Sequence, residues 1–192
     1  CTSGNLADEP ICMTPVEAAA RLSGMADAFF VHNRHIAQRL DDSLAQIVAG
    51  KPQLIRRARG YVPEPVRTPM DLPDAVALGA YLKNTLAFSH GRQIVLSQHI
   101  GDLDSVANLD CQSQTLAAQL LLYNLRPRMV ALDAHPDTPL PAVLDRLNLP
   151  LSRVPHHRAH VAAVMAEHGL AHERLLALAW DGYGHGDDGG AW

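Results

Sequence analysis

Two histidines four residues apart stand in the run His156-His157-Arg158-Ala159-His160. On a helix, positions i and i+4 share one face, so the imidazoles of His156 and His160 can converge on one metal ion. His157 lies about 100° round the helix axis and would not join them. A nearby carboxylate usually completes such a site. No Glu lies between the histidines, so the zinc-protease helix pattern does not apply. The plain alternative is a surface helix that starts with several histidines. A second candidate is Asp181 followed by glycines at 182, 184, 186, 189 and 190. Glycine lets backbone N–H groups come close to phosphate oxygens, and an acid at a strand end can hold a metal. This is not a dinucleotide fingerprint, because the acid precedes the glycines and no helix follows in the chain. The alternative is a flexible surface loop.

Weaker signals lie elsewhere. Thr2-Ser3-Gly4-Asn5 and Arg56-Arg57-Ala58-Arg59 combine hydroxyl, amide and guanidinium groups that suit phosphate or nucleotide. Taken alone, they read more readily as a turn and a solvated basic strand. Asp133-Ala134-His135-Pro136-Asp137 follows an apolar strand run, where α/β sheets bind ligands, yet it also makes an ordinary turn. Cys1, Cys12 and Cys111 are too few and scattered for a disulfide framework. A reducing, cytoplasmic setting is the expectation.

These residues need elements to position them. Thr14, Pro15 and Glu17 form a helix-start signal, with Gly24 as the stop. Residues 26–31 are an apolar run expected to be a strand. Residues 43–48 and 53–59 read as a hairpin joined by Ala49-Gly50-Lys51-Pro52. Prolines at 63, 65, 69 and 73 suggest a stiff spacer over 66–73 between a first part, 1–65, and a second, 74–192. In the second part, 74–80, 84–90 and 92–97 read as a three-stranded meander turning at His90-Gly91-Arg92. A helix is expected over 104–122, with Leu109, Leu116, Leu120 and Tyr123 on one face. Strands follow at 129–132 and 151–154, helices at 140–147 and 156–168, and a last strand at 175–180 before Asp181. A meander followed by alternating helix and strand is the layout of an actin-like, ribonuclease-H-like α/β lobe.

Composition narrows the classes. The chain has 192 residues, is 47% hydrophobic and 19% charged, and carries a net charge of −4. This fits a globular chain, offers no basic field for nucleic acid, and includes no run long enough to span a membrane. It begins at Cys1 and ends at Trp192, and we expect a piece of a longer protein.

Several blocks, in this order, resemble the HypF family of hydrogenase-maturation carbamoyltransferases. They are Thr2-Ser3-Gly4-Asn5-Leu6, Asp41-Asp42-Ser43, and Arg56-Arg57-Ala58-Arg59-Gly60-Tyr61-Val62-Pro63. Leu82-Lys83-Asn84-Thr85 and Ser97-Gln98-His99-Ile100-Gly101-Asp102-Leu103 come next. His135-Pro136-Asp137, the two-histidine run and the Asp181-Gly182 loop complete the order. The resemblance covers essentially the whole chain. Tyr81, Ala134, Tyr183 and His185 depart from the family's commoner residues, and none of them is a candidate ligand.

The resemblance implies an α/β fold in two pieces. Residues 1–65 would be the C-terminal part of a YrdC-like domain. Residues 74–192 would be the first lobe of an actin-like, TsaD-like carbamoyltransferase domain. It implies carbamoyl adenylate made from carbamoyl phosphate and ATP, with magnesium accompanying ATP. The carbamoyl group would pass to the C-terminal Cys thiol of a partner, HypE, towards the cyanide ligand of [NiFe]-hydrogenase. Nucleotide contacts would come from Ser3, Asn5, Arg57, Arg59, Gly182, Gly184 and Gly186. A divalent ion, iron or zinc, would sit on His156, His160 and Asp181. No nucleic acid or membrane partner is implied. Competing readings are an O-carbamoyltransferase of a small molecule, a tRNA threonylcarbamoyl transferase, or a metal- and nucleotide-binding module without turnover. The 192-residue chain alone is expected to form no carbamoyl adenylate; synthesis of it by the isolated chain would refute that.

Overall fold

The structure, a computed structural model, describes residues 4–141, 144 and 147–192. Helix α1 (Pro15–Leu22) begins as its sequence dictates. The Glu17 N–H donates to Thr14 Oγ1 at 3.1 Å, and Glu17 Oε2 accepts from the Met13 N–H at 2.8 Å. Glu17 Oε1 also accepts from Arg21 and Arg39, and Arg21 pairs in addition with Glu9. Burial opposes the Glu17 charge. The Met13 N–H and the Arg39 and Arg21 guanidiniums outweigh it and hold the carboxyl below its ordinary value.

Strands β1 (Leu44–Val48) and β2 (Lys51–Arg56) form an antiparallel hairpin. Val48 pairs with Lys51, so the turn is only Ala49-Gly50, at φ 49° and 76°. A two-residue turn with both φ positive matches the twist of its strands, which places Pro52 inside β2 rather than in the turn. The strand expected over 26–31 does not form. Phe30 and Val31 are exposed, and no neighbouring strand is present among the described residues to pair their backbone.

The main sheet has the order β4-β3-β5-β6. Strands β3 (Val66–Ala77) and β4 (Ala87–Leu96) are antiparallel. Strand β5 (Met129–Asp133) runs parallel to β3, and β6 (Leu151–Val154) parallel to β5. The expected three-stranded meander is thus one long hairpin. Gly91, at φ 53°, lies opposite Leu72 within β4 and absorbs an irregularity instead of turning the chain. Residues 66–73, read as a spacer, are the first part of β3. Its pairing shifts between Arg67 and Leu72 and again before Ala75, around Pro69 and Pro73, which have no N–H to donate.

Helix α2 (Val106–Leu122) is capped by Ser105 and packs on this sheet. Val76, Leu78, Leu86, Phe88, Leu116, Val130 and Leu132 are buried together. Leu109 and Leu120 flank this core, but much of the buried face of α2 is polar: Asn108, Gln112, Thr115 and Gln119. Two of them, Asn108 and Gln112, donate to loop backbone, together with Asn84. Asn84 Nδ2 donates to the carbonyls of Leu78 and Ala80, each at 2.7 Å, and Gln112 Nε2 donates to Leu78 O and Asn84 Oδ1. Asn108 Nδ2 donates to Asp102 O at 2.6 Å and to Asp8 O at 3.0 Å, tying the first part of the chain to the second. Gln38 donates to Gln98, and Gln98 to Thr115, along the same seam.

Helix α3 (His156–Glu167) follows β6 after Pro155 and stops before Gly169, at φ 69°. Of the helix expected over 140–147, residues 142, 143, 145 and 146 lie outside the described residues. The run 175–180 is not a strand: Leu176, Leu178 and Trp180 are exposed, and no described strand lies alongside. No described helix is long and apolar enough to cross a membrane. Replacing Asn84 by Ala takes the side-chain donor from the half-buried Ala80 carbonyl, leaves the Leu78 carbonyl with Gln112 alone and removes the Oδ1 acceptor of Gln112. It is expected to cost about 1–3 kcal/mol, read as a lower urea midpoint at unchanged slope.

Candidate metal centre

The pairing of β5 with β6 builds the site. Asp133 and Val154 are register partners at the carboxyl ends of their strands. Pro155 then turns the chain into α3 with φ −57°, and its carbonyl accepts from the Ala159 N–H. His156, the first helical residue, therefore leaves the sheet beside Asp133. Its Nδ1 lies 2.8 Å from Asp133 Oδ2. Its Nε2 lies 3.1 Å from His160 Nε2 and 2.9 Å from Asp181 Oδ2. His160 Nε2 is 3.2 Å from the same Asp181 oxygen. The two imidazoles stand edge to face, 4.7 Å between centroids.

The donor set fits a divalent ion. One atom each from His156, His160 and Asp181 lies within 4.8 Å of the others. Around a tetrahedral ion with bonds of about 2.1 Å, ligand atoms stand about 3.4 Å apart, close to the spacing of this triangle. Two imidazole nitrogens and one carboxylate oxygen suit iron or zinc. The Gly182 N–H donates to Asp181 Oδ1 at 2.7 Å; with help from the two imidazoles it outweighs desolvation and holds the Asp181 carboxyl below the ordinary range. Asp181 thus remains an anion where a cation would need one.

The glycine loop folds back on the start of α3. A Cβ on Gly184 would lie 3.0 Å from the His157 ring, so Gly184 is the residue that lets loop and helix meet. Arg158 pairs with Asp187 at 3.1 Å. The Trp192 N–H donates to Gly184 O, and the Gly186 N–H to Gly190 O. The Gly182 and Gly186 N–H groups are therefore engaged within the loop. Gly184 and Gly186 are buried, while Gly182 is exposed. His135 stands edge-on to both Tyr183 and His185, at 6.0 Å. An apolar groove of about 490 Å³, bounded by Val161, Val164 and Leu175, opens beside His160 and Asp181.

The remaining candidates lie apart from the histidine pair in sequence and role. Ser3 falls outside the described residues. Asn5 donates to the carbonyls of Leu6 and Glu9 and lines a polar pocket of about 310 Å³ with Arg39, Arg56, Lys83 and His99. Arg57 donates instead to the carbonyls of Tyr61 and Glu64, and Arg59 to Leu40 O, with Asp42 at 3.5 Å. Neighbours on extended backbone point to opposite sides, so Arg56 faces this pocket while Arg57 turns away. Burial, and then the Arg56 charge, push the His99 pKa down, so His99 favours the neutral imidazole. Sequence reasoning singled out neither Arg39 nor the contact between Asp133 and His156. The only signal for Asp133 was its place at a strand's carboxyl end.

Fold and site define an α/β chain that joins a YrdC-like segment to a Kae1-like lobe carrying a two-histidine, one-carboxylate cluster. Residues 71–167 match the family model described as the HypF Kae1-like domain, and residues 1–58 match the telomere recombination (Sua5/YciO/YrdC) model. The chain belongs to the HypF family. It is 44% identical over its full length to the carbamoyltransferase HypF of Synechocystis sp., and also 44% identical to that of Rhizobium leguminosarum bv. viciae, in each case covering 25% of the relative. Among solved structures, full-length HypF in a phosphate- and nucleotide-bound form matches with a TM-score of 0.91 at 38% identity. That match covers 100% of this chain and 30% of the other. The HypF of T. kodakarensis matches with a TM-score of 0.89 at 34% identity, covering 100% and 25%. The chain thus spans about a quarter of the length of the curated relatives it matches.

Elemental analysis of the purified protein is expected to find one iron or zinc per chain. The His156→Ala/His160→Ala double variant is expected to lose it. An unchanged metal content in the variant would remove the site from these residues.

Proposed function

We propose that this chain carries the metal-binding half of a carbamoyl-transfer site, in a protein that forms carbamoyl adenylate and passes the carbamoyl group to a partner thiol. The observation that carries this reading is the convergence of His156, His160 and Asp181 beside a glycine loop, in a chain of the HypF family. Relatives named carbamoyltransferases, and a relative solved with phosphate and nucleotide, support it.

Carbamoyl adenylate is a mixed anhydride. A thiolate attacks its carbonyl carbon, a C–S bond forms, and the C–O bond to phosphorus breaks with AMP as the leaving group. The thiol's proton is lost before attack, because the thiolate is the nucleophile. No side chain of this chain then needs to be a covalent nucleophile. His156, His160 and Asp181 would hold a divalent ion, which when bound would supply positive charge to the anionic adenylate. His156 and His160 present their Nε2 atoms side by side, and Asp181 adds the anionic ligand. The close approach of Gly184 to the His157 ring seats the glycine loop on the start of α3, with Arg158 and Asp187 paired at its exposed edge.

On this reading, ATP enters with magnesium and meets the YrdC-like segment around Asn5. Of the nucleotide contacts that the resemblance implies, Asn5 lines that pocket with Arg56, and Ser3 precedes it in sequence, whereas Arg57 and Arg59 are engaged with backbone carbonyls and would have to release them to reach a nucleotide. Gly182, Gly184 and Gly186 are assigned to the phosphate side of the transfer site, where the Gly182 and Gly186 N–H groups would exchange their present acceptors for phosphate. The acceptor is the C-terminal Cys of a HypE-type protein, and free thiol chemistry suits the cytoplasm.

The test uses the whole gene product and separates the two half-reactions. Asp181→Ala is expected to lower carbamoylation of a Cys-terminated acceptor at least about a hundredfold. Carbamoyl-phosphate-dependent exchange of pyrophosphate into ATP should stay near the wild-type rate. Equal loss of both half-reactions, or of neither, would contradict the division of labour.

A further inference from the structure

We propose that Asp133 is the positioning residue of the metal centre. It fixes the proton of His156 on Nδ1 and so leaves Nε2 free to bind the ion. The inference rests on the metal reading of the cluster and concerns a residue outside the ligand set.

Three observations carry it. Asp133 Oδ2 lies 2.8 Å from His156 Nδ1, and the Asp133 side chain is only 10% exposed. A carboxylate only accepts hydrogen bonds, so Nδ1 must donate, and the lone pair of a neutral ring then falls on Nε2. That Nε2 is the atom aimed at His160 and Asp181. Finally, Asp133 is itself fixed: Oδ1 accepts from the His135 N–H at 2.8 Å, and the His135 carbonyl accepts from Thr138 Oγ1 at 2.8 Å and Arg153 at 3.1 Å, closing the same turn. The carboxylate is thus clamped by its own turn and presents one remaining oxygen to the imidazole. His160 has no such partner among the described residues. Its Nε2 contacts are His156 and Asp181 alone, and its side chain is 58% exposed. Of the two imidazoles, His156 is the oriented one.

Carboxylate–histidine–metal relays raise ligand basicity and hold the ring at the right angle, and losing the outer carboxylate typically weakens metal binding about 10–100-fold. Asp133→Asn gives a sharp test. Both partners of the Asp133 carboxylate, the His135 N–H and His156 Nδ1–H, are donors. Asn offers one acceptor and one donor, so it satisfies only one of them. With the oxygen on the fixed His135 N–H, the amide NH₂ faces Nδ1 and drives the imidazole proton to Nε2, the metal-binding atom.

The experiment titrates cobalt(II) into the metal-free whole gene product, following the visible spectrum, for wild type, Asp133→Asn and His160→Ala. Thermal unfolding of each metal-free variant is recorded alongside. The expected result for Asp133→Asn is affinity about 10–100-fold below wild type with an unfolding temperature little changed. A merely structural role would move the unfolding temperature and leave the affinity of the folded fraction intact. Wild-type affinity in Asp133→Asn, while His160→Ala loses binding, overturns the proposal. Absence of cobalt binding in the wild type overturns the metal reading instead. In that case, or if Asp133→Asn fails to fold, the ¹⁵N spectrum of histidine-labelled metal-free wild type decides. A proton on Nδ1 of His156 is expected, with or without a second on the Nε2 that faces Asp181, and an Nδ1 without a proton overturns the assignment.

Discussion

The in-register parallel pairing of β5 with β6, from Val130↔Leu151 to Asp133↔Val154, is the constraint on which the rest of the site depends. It ends both strands at the same level. It makes Pro155 the turning point and puts the first helical residue, His156, over the Asp133 carboxylate. A shift of one residue in this pairing would turn His156 away from Asp133 and carry His160 with it. The hydrophobic core enforces the register: Val130 and Leu132 are buried beside Val76 and Leu116, and a slipped strand would expose them.

A second layer of order comes from polar side chains in the interior. Asn84, Asn108 and Gln112 donate to backbone carbonyls of the 78–86 and 97–103 loops, which no regular strand serves. Buried carbonyls without partners are costly, so this network sets loop conformation rather than merely tolerating it. It also joins the two parts of the chain, since Asn108 reaches Asp8 and Gln98 reaches Gln38. The polar pocket containing Asn5 and His99 lies along that seam.

What was legible in the sequence follows from the range of each signal. Local chemistry could be read directly: the Thr14 cap, the β6 strand at 151–154 and the α3 stop at Gly169 depend on residues within a few positions. The i, i+4 geometry of His156 and His160 is likewise local. Signals that depend on distant neighbours misled. Residues 26–31 and 175–180 have strand-like composition but no strand beside them among the described residues. Gly91 resembles a turn, yet the pairing of β3 with β4 carries it through as an irregularity. The buried polar face of α2 was hidden because Asn and Gln read as surface residues until the loops they saturate are in place. Asp133 stood in a motif compatible with a plain turn; only the strand register shows which side chain it serves.

The most direct test of the central claim is an anomalous diffraction map of the whole gene product, grown with zinc or iron and recorded at the metal's absorption edge. One strong peak is expected about 2.0–2.2 Å from His156 Nε2, His160 Nε2 and an Asp181 oxygen. The imidazole Nδ1 of His156 should remain on Asp133. A peak bound elsewhere, or bound to His156 through Nδ1 with Asp133 displaced, would contradict it.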